Sequence, residues 1–356
     1  MRSDDQPARI SAEADFRTIK RPFGERESVS ERIVLLDPSV PKPGGASAPN
    51  AGDEVIGSSV LREIHKLFPG ATVSRITTHG RPTGEQLELI AAAGKVLIGG
   101  SNLLGNPVTS WKRPGRKWRQ WSISLGDAEV IDRAILFGVG WRVYEDEVES
   151  STRRLYRTAL AQEGIHSVRD EYTRRKLQGM GFSNVVNTGC PTLWPLIEHP
   201  LGWIPVKRSR SVLTTVTDYR PSPSEDVQVQ RLLAAMYDHV YLWPQGEGDA
   251  AYAKRINASI EILPSGLNSL DGFLEANDCD YVGTRLHGGI YCLNARRRAL
   301  IIAVDNRAAE MGPETGLPTI ERNNISGMRD WIEHPKETQI SLNRAAIETW
   351  RGQFRP

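Results

Sequence analysis

Short apolar runs alternate along this chain with longer segments whose apolar positions recur every three to four residues. Arg32-Ile33-Val34-Leu35-Leu36 has no polar face and reads as a buried strand. A loop rich in Pro, Gly, Ser and Ala follows from Pro38 to Gly52. Asp53 to Leu67 then carries Val55, Ile56, Val60, Leu61, Ile64 and Leu67 at helical spacing. The alternation continues: a strand over 71–76, a helix over 83–93, and a strand over 95–98 that ends in Gly99-Gly100. Ile131 to Val139 reads as a strand ending in glycines, and Ser150 to Gln162 as a helix. Ile165 to Val168 is a strand, and Asp170 to Gly181 a helix closed by glycine. Three prolines between Trp194 and Lys207 interrupt the pattern and mark a linker.

A second series then begins, with strands at 211–216, 240–243, 261–263, 281–284 and 299–304. Helices fall between them at 226–237, 250–258, 269–277 and 288–295, and the tail from Ser326 to Phe354 is helical in pattern. Strands that alternate with helices predict parallel sheets covered on both faces. The expected fold is therefore α/β, with two Rossmann-like domains facing a cleft. Residues 1–31 would be a flexible arm, 32–203 the first domain, 204–325 the second, and 326–356 a helical tail. A length of 356 residues agrees with two domains at roughly 150 residues each.

Charge narrows the function classes. Lys and Arg total 45 against 43 Asp and Glu, a formal net charge of +2. That balance argues against a generally basic nucleic-acid binder. The longest apolar run, Ala299 to Val304, is strand-sized, so no transmembrane segment is expected. The first residues hold no apolar stretch for a secretory signal, and the three cysteines form no CxxC pair. A cytoplasmic, reduced setting is the expectation. No carboxylate or His cluster is spaced to hold a metal, so none is expected.

In open α/β sheets ligands bind beyond the carboxyl ends of the strands, which makes strand-end residues candidates. The segment Tyr281 to Gly289 is the most loaded. A strand ends, Arg285 and His287 follow, and Gly288-Gly289 open a helix whose free N–H groups suit an anion. Arg285 offers a planar fork for phosphate or carboxylate, and His287 a proton near neutrality. The plainer alternative has His287 capping the helix and Arg285 paired with Asp278 or Asp280. Arg169 sits on another strand-to-helix turn and could hold either an anion or the structure. Asp170 beside it reads as a helix N-cap. Asp53 could be an N-cap or face the cleft, and Gly100, Ser101 and Asn102 form a glycine-led strand end.

The stretch from Trp111 to Trp121 holds five cations and three tryptophans in eleven residues. Trp111 and Trp118 could stack on a sugar ring, or the stretch could be a solvated loop anchored by a buried tryptophan. Arg296-Arg297-Arg298 reads as a helix C-terminus complementing the dipole.

From about Ile33 to Ile320 the chain resembles the polysaccharide pyruvyl transferases. The matching landmarks are Asn50-Ala51-Gly52-Asp53, Ile98-Gly99-Gly100, Ser167-Val168-Arg169-Asp170-Glu171, Gly283-Thr284-Arg285-Leu286-His287-Gly288 and Asp305-Asn306-Arg307. Gly189-Cys190-Pro191-Thr192 stands where relatives more often have Asp-Pro. The resemblance implies a fold like that of GT-B glycosyltransferases. It implies transfer of pyruvate from phosphoenolpyruvate to a sugar diol as a cyclic ketal, with no cofactor beyond that donor.

By the same resemblance Arg169, Arg285 and His287 are donor-site residues. Asn50, Asp53, Gly100, Ser101, Asn102, Leu286, Gly288, Gly289, Trp111 and Trp118 are candidates for substrate contact. The implied acceptor is a sugar or glycan, free or lipid-linked, and nucleic acid is not expected as a partner. Two rivals remain open on the sequence alone. One is a nucleotide-sugar glycosyltransferase of the same fold; the other is a binder of anionic polymer acting through Trp111 to Trp121.

Overall fold

The apolar runs pair as parallel strands in two sheets, because helices bury both faces of each. The computed structural model describes residues 31–42, 50–109, 117–199, 201–257 and 259–355. In the first half the chain runs β1 (Arg32–Asp37), α1 (Ala51–Leu67), β2 (Thr72–Thr77), α2 (Gly84–Ala91) and β3 (Lys95–Gly99). A hairpin of β4 (Val108–Thr109) and β5 (Lys117–Trp118) follows, then α3 (Leu125–Ile131) and β6 (Ile135–Phe137). The sheet order is β2-β1-β3-β6, all parallel. Next come α4 (Ser150–Ala159), β7 (His166–Val168), α5 (Glu171–Gly179) and β8 (Val185–Asn187). Val139, just past β6, bridges Val168 in parallel, so the row continues into the β7-β8 pair.

A short α6 (Trp194–Glu198) leads to the second half. Its elements are β9 (Ser211–Thr214), α7 (Pro223–Met236), β10 (His239–Leu242), α8 (Asp249–Ile256), β11 (Glu261–Ile262), α9 (Leu267–Ala276) and β12 (Asp280–Gly283). They continue with α10 (Leu286–Asn294), β13 (Ala299–Ala303), α11 (Asn306–Thr315) and β14 (Thr319–Glu321). The parallel order β11-β10-β9-β12-β13-β14 is the doubly wound arrangement, reversing between β9 and β12. In the first sheet the reversal falls between β1 and β3.

Three details differ from the sequence reading. The stretch from Ile131 is the end of α3, and only residues 135–137 form the strand. The tail is two helices, α12 (Ile325–Glu333) and α13 (Arg344–Gly352), joined by residues outside any helix or strand. Arg298 does not sit at a helix end facing solvent. It is buried and donates to the carbonyls of Trp331 and Val206. Residues 1–30 of the expected arm lie outside the described residues. No helix among the described residues is long and apolar enough to cross a membrane.

Helix α13 crosses back to the first sheet and seals its lower core. Trp350 is fully buried there, stacked on Phe137 at 4.2 Å and edge-on to Trp194 at 6.0 Å. Its indole N–H donates to the carbonyl of Leu136 at 3.2 Å. Arg351 beside it binds Glu63 on α1 at 2.6 Å and Glu198 on α6 at 3.0 Å. The C-terminal residues thus tie first-half helix, linker and sheet together. Replacing Trp350 with Ala is expected to cost about 3–5 kcal/mol, by the usual large-to-small penalty for a buried tryptophan. A lowered midpoint in urea unfolding would register it, and an unchanged midpoint would contradict this placement.

Candidate active site between the two sheets

The two topological switch points face each other across a shared edge. Asn50, in the loop after β1, makes an antiparallel bridge with Gly246 of the second half. Its side-chain oxygen accepts from Gln245 Nε2 at 2.8 Å, and the Ala51 N–H donates to the Gln245 carbonyl at 3.0 Å. On another side Asn306 donates to the carbonyl of Trp141 at 3.1 Å. These bonds hold open a cleft of about 530 Å³. Asn50, Asp53, Ser101 and Asn102 line it from one half, Tyr219, Asp305 and Arg307 from the other. A larger hollow of about 720 Å³ lies between α4 and α5, with none of the predicted site residues in it.

Arg169 follows β7 and is only 1% exposed. Its Nε donates to Asp170 at 3.0 Å, while Nη1 and Nη2 are buried with no partner. A buried guanidinium with two empty donors is costly unless an anion completes it. The side chain fits because residue 140 is glycine: a Cβ there would stand 2.2 Å from the guanidinium. Asp170 is the N-cap of α5, as expected, accepting from the Thr173 N–H at 2.7 Å.

Arg285 differs. Its Nε donates to Asp249 at 2.9 Å, and Nη2 reaches both Asp249 and Asp218. The suggested partners were Asp278 or Asp280. Instead Asp280 accepts from the Tyr237 hydroxyl at 2.7 Å, and Asp278 lies 3.9 Å from Arg297. Glycine is required here too, since a Cβ on Gly246 would meet Arg285 Nη2 at 2.3 Å. With one edge neutralised by a fully buried carboxylate, Arg285 is less free to clamp an anion than Arg169.

His287 lies in the first turn of α10 but does not cap it; Arg285 holds the cap position with no side-chain cap bond. The imidazole is buried, and its Nε2 lies 3.7 Å from the Cys190 sulfur. Thr192 donates to that sulfur at 3.1 Å, and burial keeps the thiol protonated by raising its pKa. Burial first, then Arg307 and Arg169, drive the imidazole well below its ordinary pKa. In the free protein at neutral pH, His287 is therefore uncharged.

Arg307 is the second cation of this cluster. Its Nε and Nη2 bind Asp305, and Nη2 also donates to the Tyr219 hydroxyl. Asp305 in turn caps α11, accepting from the Arg307 N–H at 3.0 Å. The pair is mutually stabilised: the Asp305 carboxyl is held down chiefly by Arg307, against burial.

Asp53 is not the cap of α1. Asn50 is, accepting from the Gly52 N–H at 3.0 Å, and the helix starts at Ala51. Asp53 is free to face the cleft, where Ser101 Oγ donates to it at 2.9 Å. Gly100 and Ser101 both take left-handed φ near +61°, a conformation that costs a serine but puts its hydroxyl on Asp53. Burial pushes the Asp53 carboxyl above its ordinary range.

Several candidates fall elsewhere. Leu286 is in the second-half core, and Gly289 packs on β13, where a Cβ would meet Ile301 at 2.4 Å. Gly288 abuts Tyr281 and Gly100 abuts Ile56; none of these four lines the cleft, and Arg169, Arg285 and His287 are buried behind its lining rather than part of it. Packing against neighbouring side chains accounts for glycine at Gly100, Gly288 and Gly289. Trp118 does line the cleft and is 41% exposed, Trp121 is buried as an anchor, and Trp111 lies outside the described residues. Arg307, Asp305 and Cys190 were not singled out from the residues as site members. The same strand-end rule, applied after β13, finds Asp305 and Arg307.

Two Rossmann-like parallel sheets with a cleft between them place the chain in the GT-B-like fold class. Solved structures of that shape include the UDP complex of MnaA from S. aureus, 11% identical over 90% of either chain, TM-score 0.50. Arabidopsis thaliana UGT89C1 complexed with UDP-L-rhamnose is 11% identical over 91% of this chain and 93% of that one, TM-score 0.42. No curated protein matches by sequence. The sequence matches the family Polysaccharide pyruvyl transferase over residues 50–306, and the chain belongs to that family.

The empty donors of Arg169 predict a simple anion effect. Inorganic phosphate should raise the melting temperature of the protein and lose that effect in Arg169→Met. The variant also takes the buried partner away from Asp170 and should itself melt lower, so the effect of phosphate is read against its own phosphate-free melting temperature. Equal protection of both proteins would contradict this.

Proposed function

We propose that this member of the family transfers the pyruvyl group of phosphoenolpyruvate to a sugar diol, forming a cyclic ketal and releasing phosphate. The observation that carries the reading is the buried, partner-free Nη pair of Arg169. It stands with Arg307 around a neutral imidazole. Phosphoenolpyruvate brings a carboxylate and a phosphate a few ångströms apart, the charge distribution such a pair of guanidiniums suits.

The chemistry has a balanced proton ledger. The methylene carbon gains one proton and becomes methyl, leaving an oxocarbenium-like centre at C2. One sugar hydroxyl adds there, the C2–O bond to phosphate breaks, and the second hydroxyl closes the ring. The two hydroxyl protons replace the one given to carbon and protonate the departing phosphate.

His287 is assigned the proton that goes to the methylene carbon. It is neutral in the free protein, so its proton arrives with the donor: a trianion between Arg169 and Arg307 offsets their repulsion, the cause that ranks after burial, and favours the charged imidazole. Asp53 is assigned a hydroxyl proton, since burial makes it a stronger base than an exposed carboxylate. Arg169 and Arg307 hold the donor's anionic groups and the phosphate as it leaves. Arg285 supports them through the Asp249 pair and through Tyr219, whose ring lies 4.9 Å from its guanidinium carbon.

The test separates donor binding from turnover. His287→Ala should still be protected against thermal unfolding by phosphoenolpyruvate, while phosphate release with glycan acceptors falls by about 10²–10⁴-fold. Arg169→Met should lose the protection itself. Unchanged turnover in His287→Ala would refute the role of His287. Protection by nucleotide sugars but not by phosphoenolpyruvate would favour a glycosyltransferase instead.

A further inference from the structure

The cleft is charged well beyond what the donor uses. Both carboxylates in its lining are already engaged, Asp305 by Arg307 and Asp53 by Ser101. The other fully charged lining residues, Lys42, Arg119, Arg142 and Arg220, are all cationic. Two of these are set side by side with an aromatic ring. Arg142 stacks on Trp118 with its guanidinium carbon 5.2 Å from the ring centre, and Arg119 is next to Trp118 in sequence.

Neither guanidinium forms an ion pair among the described residues. Arg119 donates from Nη2 to the Thr152 hydroxyl at 2.9 Å, and its Nε is buried without a partner. Arg142 donates at 3.5 Å to the Asn106 carbonyl, and burial holds its pKa below the ordinary arginine value. Glu145 offsets part of the burial of Arg142 from beyond ion-pair distance, and no carboxylate contacts either guanidinium directly.

A site for a neutral sugar mixes donors with acceptors, because every hydroxyl is both. Arg119 and Arg142 offer donors alone, beside an exposed indole whose face suits the C–H face of a pyranose, and the nearby acceptors of the cleft are the uncharged amides Gln120 and Asn102. We infer that Trp118, Arg119 and Arg142 form the acceptor subsite, and that the sugar ring they take carries its own acid group, a carboxylate or a phosphate. The inference rests on the pyruvyl-transfer reading for its name as an acceptor site. The subsite shares the cleft with Arg307 but uses none of Arg169, His287 and Arg307, so the two readings can fail independently.

Matched ligands test it on the full chain by titration calorimetry. One arm compares a glucuronate-containing tetrasaccharide with its carboxyl-reduced neutral form; the other compares glucose 6-phosphate with glucose. In at least one arm the acidic member should bind about tenfold or more tightly than its neutral partner. That preference should vanish in Arg142→Gln and in Arg119→Gln. Trp118→Ala should weaken both members, and Trp118→Phe should restore most of the binding. The arm that shows the preference identifies carboxylate or phosphate. Protection by phosphoenolpyruvate should persist in all four variants, which also shows that they fold.

Equal binding of acidic and neutral members, or no binding by either acid, overturns the inference. So does a preference that survives both arginine substitutions. Loss of phosphoenolpyruvate protection in the parent protein would instead count against the donor reading and leave the subsite standing on its own result.

Discussion

The structure turns on a buried guanidinium that the protein pairs on one edge only. Arg169 spends one nitrogen on Asp170 and leaves two with nothing to bind. Arg307, fully engaged with Asp305 on one edge, adds a second guanidinium acting on the same imidazole. Keeping two such groups near a dry His287 is unfavourable in isolation, so the fold must hold them in place from outside. Gly140 supplies the space, Asp170 and Asp305 anchor the stems, and the helix caps of α5 and α11 fix those carboxylates. On the proposed reading an incoming anion would complete the two partner-free nitrogens of Arg169, with no need for a generally basic surface.

That requirement explains why two sheets are needed. Arg169 and Asp53 belong to one half, His287 and Arg307 to the other, and each follows the carboxyl end of a strand. The relation between the halves is set by polar contacts at the rim, Asn50 with Gln245 and Gly246, and Asn306 with the Trp141 carbonyl. Apolar packing of Cys190, Leu193 and Ala51 with the second-half core continues the joint beneath them. Helix α13 then closes the first half from behind through Trp350 and Arg351.

Much of the fold was legible because its signal is local. Strand β1 is a bare apolar run, and α1 has a clear helical period, so the alternation and the two halves could be read directly. Arg169, Arg285 and His287 could be singled out because strand ends in such sheets face ligands. What could not be read were partnerships across sequence distance. Asp249 is 36 residues from Arg285, and Cys190 is 97 residues from His287. The packing of Gly288 and Gly289 against Tyr281 and Ile301 was not legible for a related reason: a glycine pair looks alike whether a ligand or a neighbouring strand comes close. Asn50 rather than Asp53 caps α1, because the helix starts two residues before its apolar period becomes visible.

The charge state of His287 is the most direct measure of the account. In protein labelled with ¹⁵N at histidine, the His287 imidazole can be assigned by its loss in His287→Gln and followed by NMR at pH 7. It should be neutral in the free protein and become cationic when phosphoenolpyruvate is added. An imidazole already cationic in the free protein, or neutral in both states, would contradict the claim that the donor's charge brings the catalytic proton with it.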